Sequence, residues 1–443
     1  MNDLAIRLHW ESALHGDPEV RDTSALLAIE VGGRVMTTNE DDWSRTIRDD
    51  VRLSAYPLAL WLAGNWWRLR YEPLPLPVSR PSHSWRMAHE MAAAGHGFVW
   101  PRMLFASDGE SIHVWSVSTS RSALAPVGYL ANAHELIPVS AFERGTDAFV
   151  RSVLARLDAM GHRGTNLHGL WLELSEERAD AALHAGRRLE AMLGFDPDAC
   201  PEPLLERFAR LGHDIGAAAL EEIAPLCAGT SPGEALDTIV ELSDAAGIEG
   251  RIELGGAGDV AREPPSPRPA WDLGHEAARA LRRRVGLDGQ PVEDRRLADL
   301  LGADPATAFD PALANRAPLG LAVKGAARGS LRIIPRKRNR LGRRFELARF
   351  LGDYLAARGS GAWLPATDAR TARQQYQRAF AAEFLCPIGP LAEFLAGDLG
   401  PAAIDDAAEH FAVSERAVET QLVNHRLLPA GILEDGSAFP YVM

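Results

Sequence analysis

Side chains whose type and spacing suggest chemistry concentrate in residues 336–387. Arg336, Lys337, Arg338, Arg340, Arg343 and Arg344 form the densest basic run in the chain. Such clusters hold phosphates and supply the sequence-independent part of nucleic-acid binding. The competing reading is a solvated loop ahead of a helix over 345–357. Arg349 and Asp353 stand four apart on that helix, so an ion pair between them is expected. A pair of this kind contributes about 0.2–0.5 kcal/mol, and Arg before Asp is the weaker order. The sharper alternative makes Arg349, Asp353 and Arg378 the lining of a pocket for an anion or a partner's side chain. Elsewhere, His89, Glu90 and His96 resemble a metal set, but their spacing is not H-E-x-x-H and Gly95 and Gly97 interrupt the helix. Eight tryptophans (10, 43, 61, 66, 67, 85, 100 and 115) crowd the first 115 residues, with Arg68 and Arg70 following the 66–67 pair. They suit stacking of a base or ring, although core packing is the commoner use of tryptophan. Cys200, Cys227 and Cys386 have no paired spacing, so they read as buried thiols of a reducing compartment.

Zincin metallopeptidases place two histidines at i and i+4 of one helix, with a glutamate beside the first to polarise the bound water. Residues 344–353 read R-F-E-L-A-R-F-L-G-D, and residues 374–387 read Q-Q-Y-Q-R-A-F-A-A-E-F-L-C-P. The first segment resembles the R-F-T-L-A-H-E-x-G-H helix of the ImmA/IrrE-type metallo-endopeptidases, with Phe345, Leu347, Ala348 and Gly352 matching. The second resembles that family's E-x-x-A-N-x-F-A-x-x-L-L-x-P motif through Phe380, Ala381, Leu385 and Pro387. A tail from Ile404 and Asp405 through residues 411–414 to Leu422 follows in family order. The resemblance covers roughly residues 271–428, and the functional residues depart from it one by one. Arg349 and Asp353 occupy the histidine positions, Phe350 the glutamate position, and Gln374 the third ligand position. No histidine occurs between His275 and His410, so no metal, no cofactor and no catalytic residues are expected in this part. The resemblance implies a degenerate, non-catalytic member of the family, a pseudopeptidase with a zincin-like, mainly helical fold. Because family members commonly cleave repressors or antitoxins, it also implies a regulatory or binding role in a bacterial stress, toxin–antitoxin, mobile-element or phage-defence setting. The expected partner is another protein. The alternatives are a working hydrolase that uses other residues, in the N-terminal domain for instance, and a nucleic-acid-associated module built on the 336–344 run.

These segments need a scaffold. At 443 residues, with 46% hydrophobic and 24% charged residues, the chain reads as a globular protein of two or three domains. The net charge of −13 argues against a generic nucleic-acid binder, though it divides unevenly: −5 over residues 1–150, −10 over 151–270 and +2 beyond. The longest apolar stretch, residues 55–67, is too short to span a membrane and is broken by Gly64 and Asn65. Asp3, Arg7 and Glu11 stand where a signal peptide needs an apolar run, so a cytoplasmic location is expected. The expected class is α+β, with a mixed α/β domain over 1–165, an acidic helical region over 166–254, a Gly/Pro linker over 255–270 and the peptidase-like domain over 271–443. Alternation at Ile6, Leu8 and Trp10, and over 26–35 around Gly32-Gly33, predicts strands and a tight turn. Asp41, Asp42 and Ser44 precede a segment read as a helix running through Leu60 to Trp66. Further helices are expected to start at Ser175, near Pro201, and at Ser231-Pro232. Residues 404–428 have a helix-turn-helix rhythm with Ser414 as the second N-cap. That second helix opens on Glu415, which repels phosphate, so packing against the body is its expected role.

Overall fold

The computed structural model describes residues 3–13, 16–41, 46–76, 81–119, 127–229, 231–253, 268–356 and 361–429. It is α+β, and its strands pair antiparallel. The chain forms two units, one ending at Leu205 and the other starting at Glu206. Among the described residues, no helix is long and apolar enough to cross a membrane.

The first unit opens with β1 (Leu4–Trp10), α1 (Pro18–Asp22), β2 (Ser24–Val31), β3 (Arg34–Val35), β4 (Asn39–Asp41), β5 (Ile47–Arg48) and β6 (Val51–Ser54). The β2–β3 turn falls at Gly32 and Gly33, whose φ values of 61° and 86° suit the left-handed positions of a two-residue hairpin. Three helices follow, α2 (Ala55–Gly64), α3 (Trp66–Tyr71) and α4 (His83–His89), and then β7 (Arg102–Ser107), β8 (Ser111–Val117), β9 (Val127–Tyr129) and β10 (Ala133–Pro138). The unit ends in α5 (Val139–Ala159), α6 (Asn166–Ala179) and α7 (Ala181–Met192). The helix expected to grow out of Asp41, Asp42 and Ser44 is corrected. Val51 and Leu53 alternate and pair with Leu27 and Ala25 of β2, so strands precede the helix. The helix starts after Ser54, whose hydroxyl accepts from Tyr56 N, while Asp42 and Ser44 lie outside the described residues. Six of the eight tryptophans (61, 66, 67, 85, 100 and 115) are buried, Trp10 is half-buried, and Trp43 is outside the described residues.

Helix α6 runs straight through Ser175, which therefore does not start a helix. Its hydroxyl donates back to Trp171 O at 2.6 Å, and the next N-cap is Asp180, whose carboxylate accepts from Ala182 N and Leu183 N. The helical region read over 166–254 is divided between the units, because Leu167, Trp171, Leu174 and Ala191 join the core of the first. At the division stands α8 (Glu202–Ile215).

The second unit continues with α9 (Ala217–Cys227), α10 (Pro232–Ser243), β11 (Ile248–Arg251), α11 (Ala270–Arg284), α12 (Asp294–Leu301), α13 (Pro305–Ala308), β12 (Gly320–Lys324) and β13 (Ser330–Ile334). It closes with α14 (Arg340–Leu355), β14 (Trp363–Ala366), α15 (Ala372–Leu385), α16 (Ile388–Leu395), α17 (Pro401–Phe411) and α18 (Glu415–Asn424). Its sheet has the order β11-β13-β12-β14. Phe350, Leu351, Phe380, Phe384 and Leu385, from α14 and α15, sit at the centre of the core. The expected 255–270 linker falls mostly on residues 254–267, outside those described; α11 begins directly after Pro269. Val418 and Leu422 of α18 are fully buried in the same core as α14 and α15.

Candidate functional site

Helix α14 starts at Arg340, five residues before the expected position, because Asn339 caps it: its side-chain oxygen accepts from Gly342 N at 2.6 Å. Half of the basic run is thus helix rather than loop. Arg343 is buried and donates to the carbonyls of Lys337, Ala308 and Asp310. Arg344 is buried against Asp294 and the carbonyls of Val292 and Ala412. Arg336 forms a two-pronged pair with Asp368 at 2.8 Å, and Arg340 pairs with Asp294. Arg336, Arg343 and Arg344 therefore spend their guanidinium groups on internal acceptors, which leaves Lys337, Arg338 and the exposed Arg340 for a phosphate. Sequence spacing could not reveal this, since the acceptors lie far away along the chain.

Of the four positions singled out by the resemblance, Arg349, Asp353 and Gln374 lie in one buried polar cluster between α14, α15, β14 and α9. Gly352 allows α14 to approach α15, because a Cβ there would stand 2.5 Å from Phe380 Cδ1. Phe350 is fully buried in the core. Arg349 and Asp353 do not pair with each other, contrary to expectation. They reach different partners, and neither partner is on their own helix. Arg349 donates to Thr367 O at 2.7 Å and to the side-chain oxygen of Gln374. Asp353 accepts a bidentate pair from Arg373, at 2.9 Å from Nε and 2.6 Å from Nη2. Gln374 accepts from Thr367 N at 2.9 Å, and its amide donates to Pro365 O at 3.0 Å and to Glu222 Oε2 at 2.9 Å. Gln377 donates to the same Pro365 carbonyl. Arg378 is half-buried, and it donates to Ala369 O rather than to Asp353.

Two members of the cluster carry no signal in sequence spacing. Glu222, from α9, is 4% exposed and accepts from Thr371 Oγ1 at 2.7 Å as well as from Gln374. Arg373 adds a third bond, from Nη1 to Ala218 O at 2.8 Å. Burial raises the Glu222 carboxyl above its usual range, against the pull of Arg373 and its two donors. Burial also opposes the charge on Arg373, but Asp353 more than offsets it and holds the guanidinium up. Burial lowers Arg349. Arg378 falls to about 9, first by burial and then by repulsion from Arg349, so it keeps its proton at neutral pH. The Nε of Arg349 and Oε1 of Gln377 are buried with no protein partner among the described residues. Chemically the cluster is an internal polar network of donors around two carboxylates. Among the described residues, no group of three His, Cys, Asp or Glu is placed to hold a metal ion.

The first unit holds a second arrangement. His89 is fully buried between Phe105 O (2.8 Å) and Glu72 (2.9 Å), and His96 turns to Ala94 O, so the two do not converge. Across β8 and β10, however, Asp108, His113 and His134 form a hydrogen-bonded chain. Asp108 Oδ2 lies 3.1 Å from His113 Nε2, and His113 Nδ1 lies 3.0 Å from His134 Nε2. The other Asp108 oxygen accepts from Glu110 N and Ser111 N, which fixes its orientation. Asp108 accepts from His113 Nε2, and the contact between His113 Nδ1 and His134 Nε2 shares one proton between the two rings. Desolvation by the surrounding rings, then repulsion from His113, lowers His134 to about 4. The sequence pattern that could have shown it is the alternation of His113 with Trp115 opposite His134. No family model, no curated protein and no solved structure matches the chain.

Proposed function

We propose that the chain is a non-catalytic binding or regulatory protein, with a C-terminal part related to the ImmA/IrrE peptidases whose active-site positions have become a packed polar network. One observation carries this reading: Arg349, Asp353 and Gln374, which stand at the ligand positions of the resemblance, are buried and committed to protein partners. An imidazole or carboxylate that binds zinc must keep a lone pair directed at the metal. These side chains instead direct donors and acceptors at protein groups, Arg349 at Gln374 and Asp353 at Arg373. The partner in this reading is another protein, and a bacterial regulatory or defence setting comes from the resemblance. Elemental analysis of the purified full chain tests it: less than stoichiometric zinc and no peptidase activity are expected. One tightly held zinc per chain, lost on Asp353→Ala, refutes the reading.

A second reading, a hydrolase using the first unit, is favoured by the Asp108–His113–His134 chain, since a carboxylate-anchored pair of imidazoles is an arrangement that general-base catalysis uses. Hydrolysis of a broad panel of ester and peptide substrates, lost on His134→Ala, would establish it.

A further inference from the structure

Glu222 is a buried carboxylate brought to the cluster by a different helix, and the manner of its binding is that of a ligand. Thr371 Oγ1 and Gln374 Nε2 both donate to its Oε2, at 2.7 and 2.9 Å. Arg373 and Arg378 add favourable charge. Without Glu222, two buried donors would lose their acceptor, and Arg349, Arg373 and Arg378 would keep Asp353, Asp368 and Glu346 as counter-charges. Buried donors left unpaired in this way favour re-entry of an acceptor, and beside Arg373 a carboxyl group serves.

The helix that delivers Glu222 is bounded by glycines at positive φ, Gly216 (93°) and Gly229 (148°), and has Pro225 inside it. Proline removes one helical hydrogen bond and weakens the turn around it. The core formed by α14 and α15 is built from Ile248 onward. Several of the described ties of α8–α10 to it are polar: Glu222 itself, Ala218 O to Arg373, Ser243 O to Arg332 and Ile215 O to Ala362 N.

We propose that Thr371, Gln374 and Arg373 form a carboxylate-binding site occupied in this structure by the chain's own Glu222, and that a glutamate-bearing acidic segment of a partner protein takes the same place when α9 withdraws. This rests on the non-catalytic reading above and names the partner's chemistry for that site. Exchange of one carboxylate for another leaves both donors and the neighbouring guanidinium groups as they are, whereas an apolar or basic segment would not.

The test uses the full chain with Glu222→Ala and acetate as the probe. Millimolar acetate raises the melting temperature of this variant, but not that of the wild type or of Glu222→Gln, in which the place is filled. Adding Thr371→Val weakens the acetate effect about tenfold, as expected for one hydrogen bond to a charged acceptor; Thr371→Ser restores it. A peptide with the sequence of residues 217–227 binds Glu222→Ala at least about tenfold more tightly than wild type, because the internal competitor is gone. The same peptide with glutamine at the 222 position does not. Equal acetate responses in wild type and Glu222→Ala, or none in either, overturn the proposal. If Glu222→Ala does not fold, the wild-type chain decides. The peptide must then speed amide exchange in α9, and unchanged exchange overturns the proposal. Failure of these tests leaves the non-catalytic reading standing, whereas stoichiometric zinc removes that reading whatever acetate does.

Discussion

Replacing Asp353 by alanine probes the cluster most directly. The carboxylate is 2% exposed and carries both prongs of the Arg373 guanidinium. An exposed pair of this kind contributes about 0–1 kcal/mol, but removing one partner of a buried pair costs about 3–5 kcal/mol, because the other charge is left buried. Here Arg373 keeps Ala218 O and the nearby charge of Glu222, so a loss near the lower end, about 3 kcal/mol, is expected. Asp353→Leu combined with Arg373→Met removes both charges and should cost far less than the two single changes together, by about 2 kcal/mol or more. Urea unfolding of the full chain measures these quantities, and amide exchange in α14 and α15 assigns the transition to this unit. A loss below about 1 kcal/mol for Asp353→Ala, or additive single and double changes, would refute the argument, since the pair would then be behaving as a solvated one.

The other predictions concern packing, protons and phosphate. Gly352→Ala should cost about 1–3 kcal/mol by overpacking against Phe380, and adding Phe380→Leu should return part of that loss in the same unfolding assay. Burial lowers both His275 and His425, whose rings lie 5.1 Å apart. Their folded values lie below 6.5, so stability is complete above about pH 6.5 and declines as pH falls below it; unfolding midpoints at a series of pH values should show this decline, reduced in His425→Gln. Glu222 has the opposite sign, because its folded value is raised: its contribution is fullest below its ordinary value of 4.5 and declines as pH rises through the folded value. Glu222→Gln should remove that decline. Duplex DNA binding should be absent at physiological salt. If it is found, Lys337→Ala with Arg338→Ala should reduce the salt slope by only about 2, since these are two of the three cations that remain for phosphates.

How far the sequence could be read depended on the range of the interactions. The β2–β3 turn and the Ser414 cap, whose side chain accepts from Ala417 N, are set by residues within a few positions of one another, and both were legible. Ser175 misled because a serine inside a helix can bond back to a carbonyl one turn earlier and so needs no cap role. In the cluster, the positions 349, 353 and 374 were legible but their partners were not. Spacing along one helix suggested Arg349 with Asp353, whereas both reach across to other elements, Arg349 to Gln374 and Asp353 to Arg373. Glu222 lies 149 residues from Thr371, and no local pattern marks a contact at that separation. For the same reason, neither reading of the basic run, phosphate surface or solvated loop, showed that Arg343 and Arg344 are fastened to distant carbonyls.

That fastening also bears on the order of folding. Arg344 ties α14 to residue 412 across 68 positions and to residues 292 and 294 across 52 and 50. Closing such long loops is entropically unfavourable before other contacts are in place. The clasp is therefore expected to close after the rate-limiting step, acting as a latch on a fold already assembled. Lysine cannot reproduce the three-way fork, so Arg344→Lys should accelerate unfolding while leaving the refolding rate nearly unchanged, a division that stopped-flow measurements would show. On this account the arginine governs how long the native state lasts rather than how quickly it is reached.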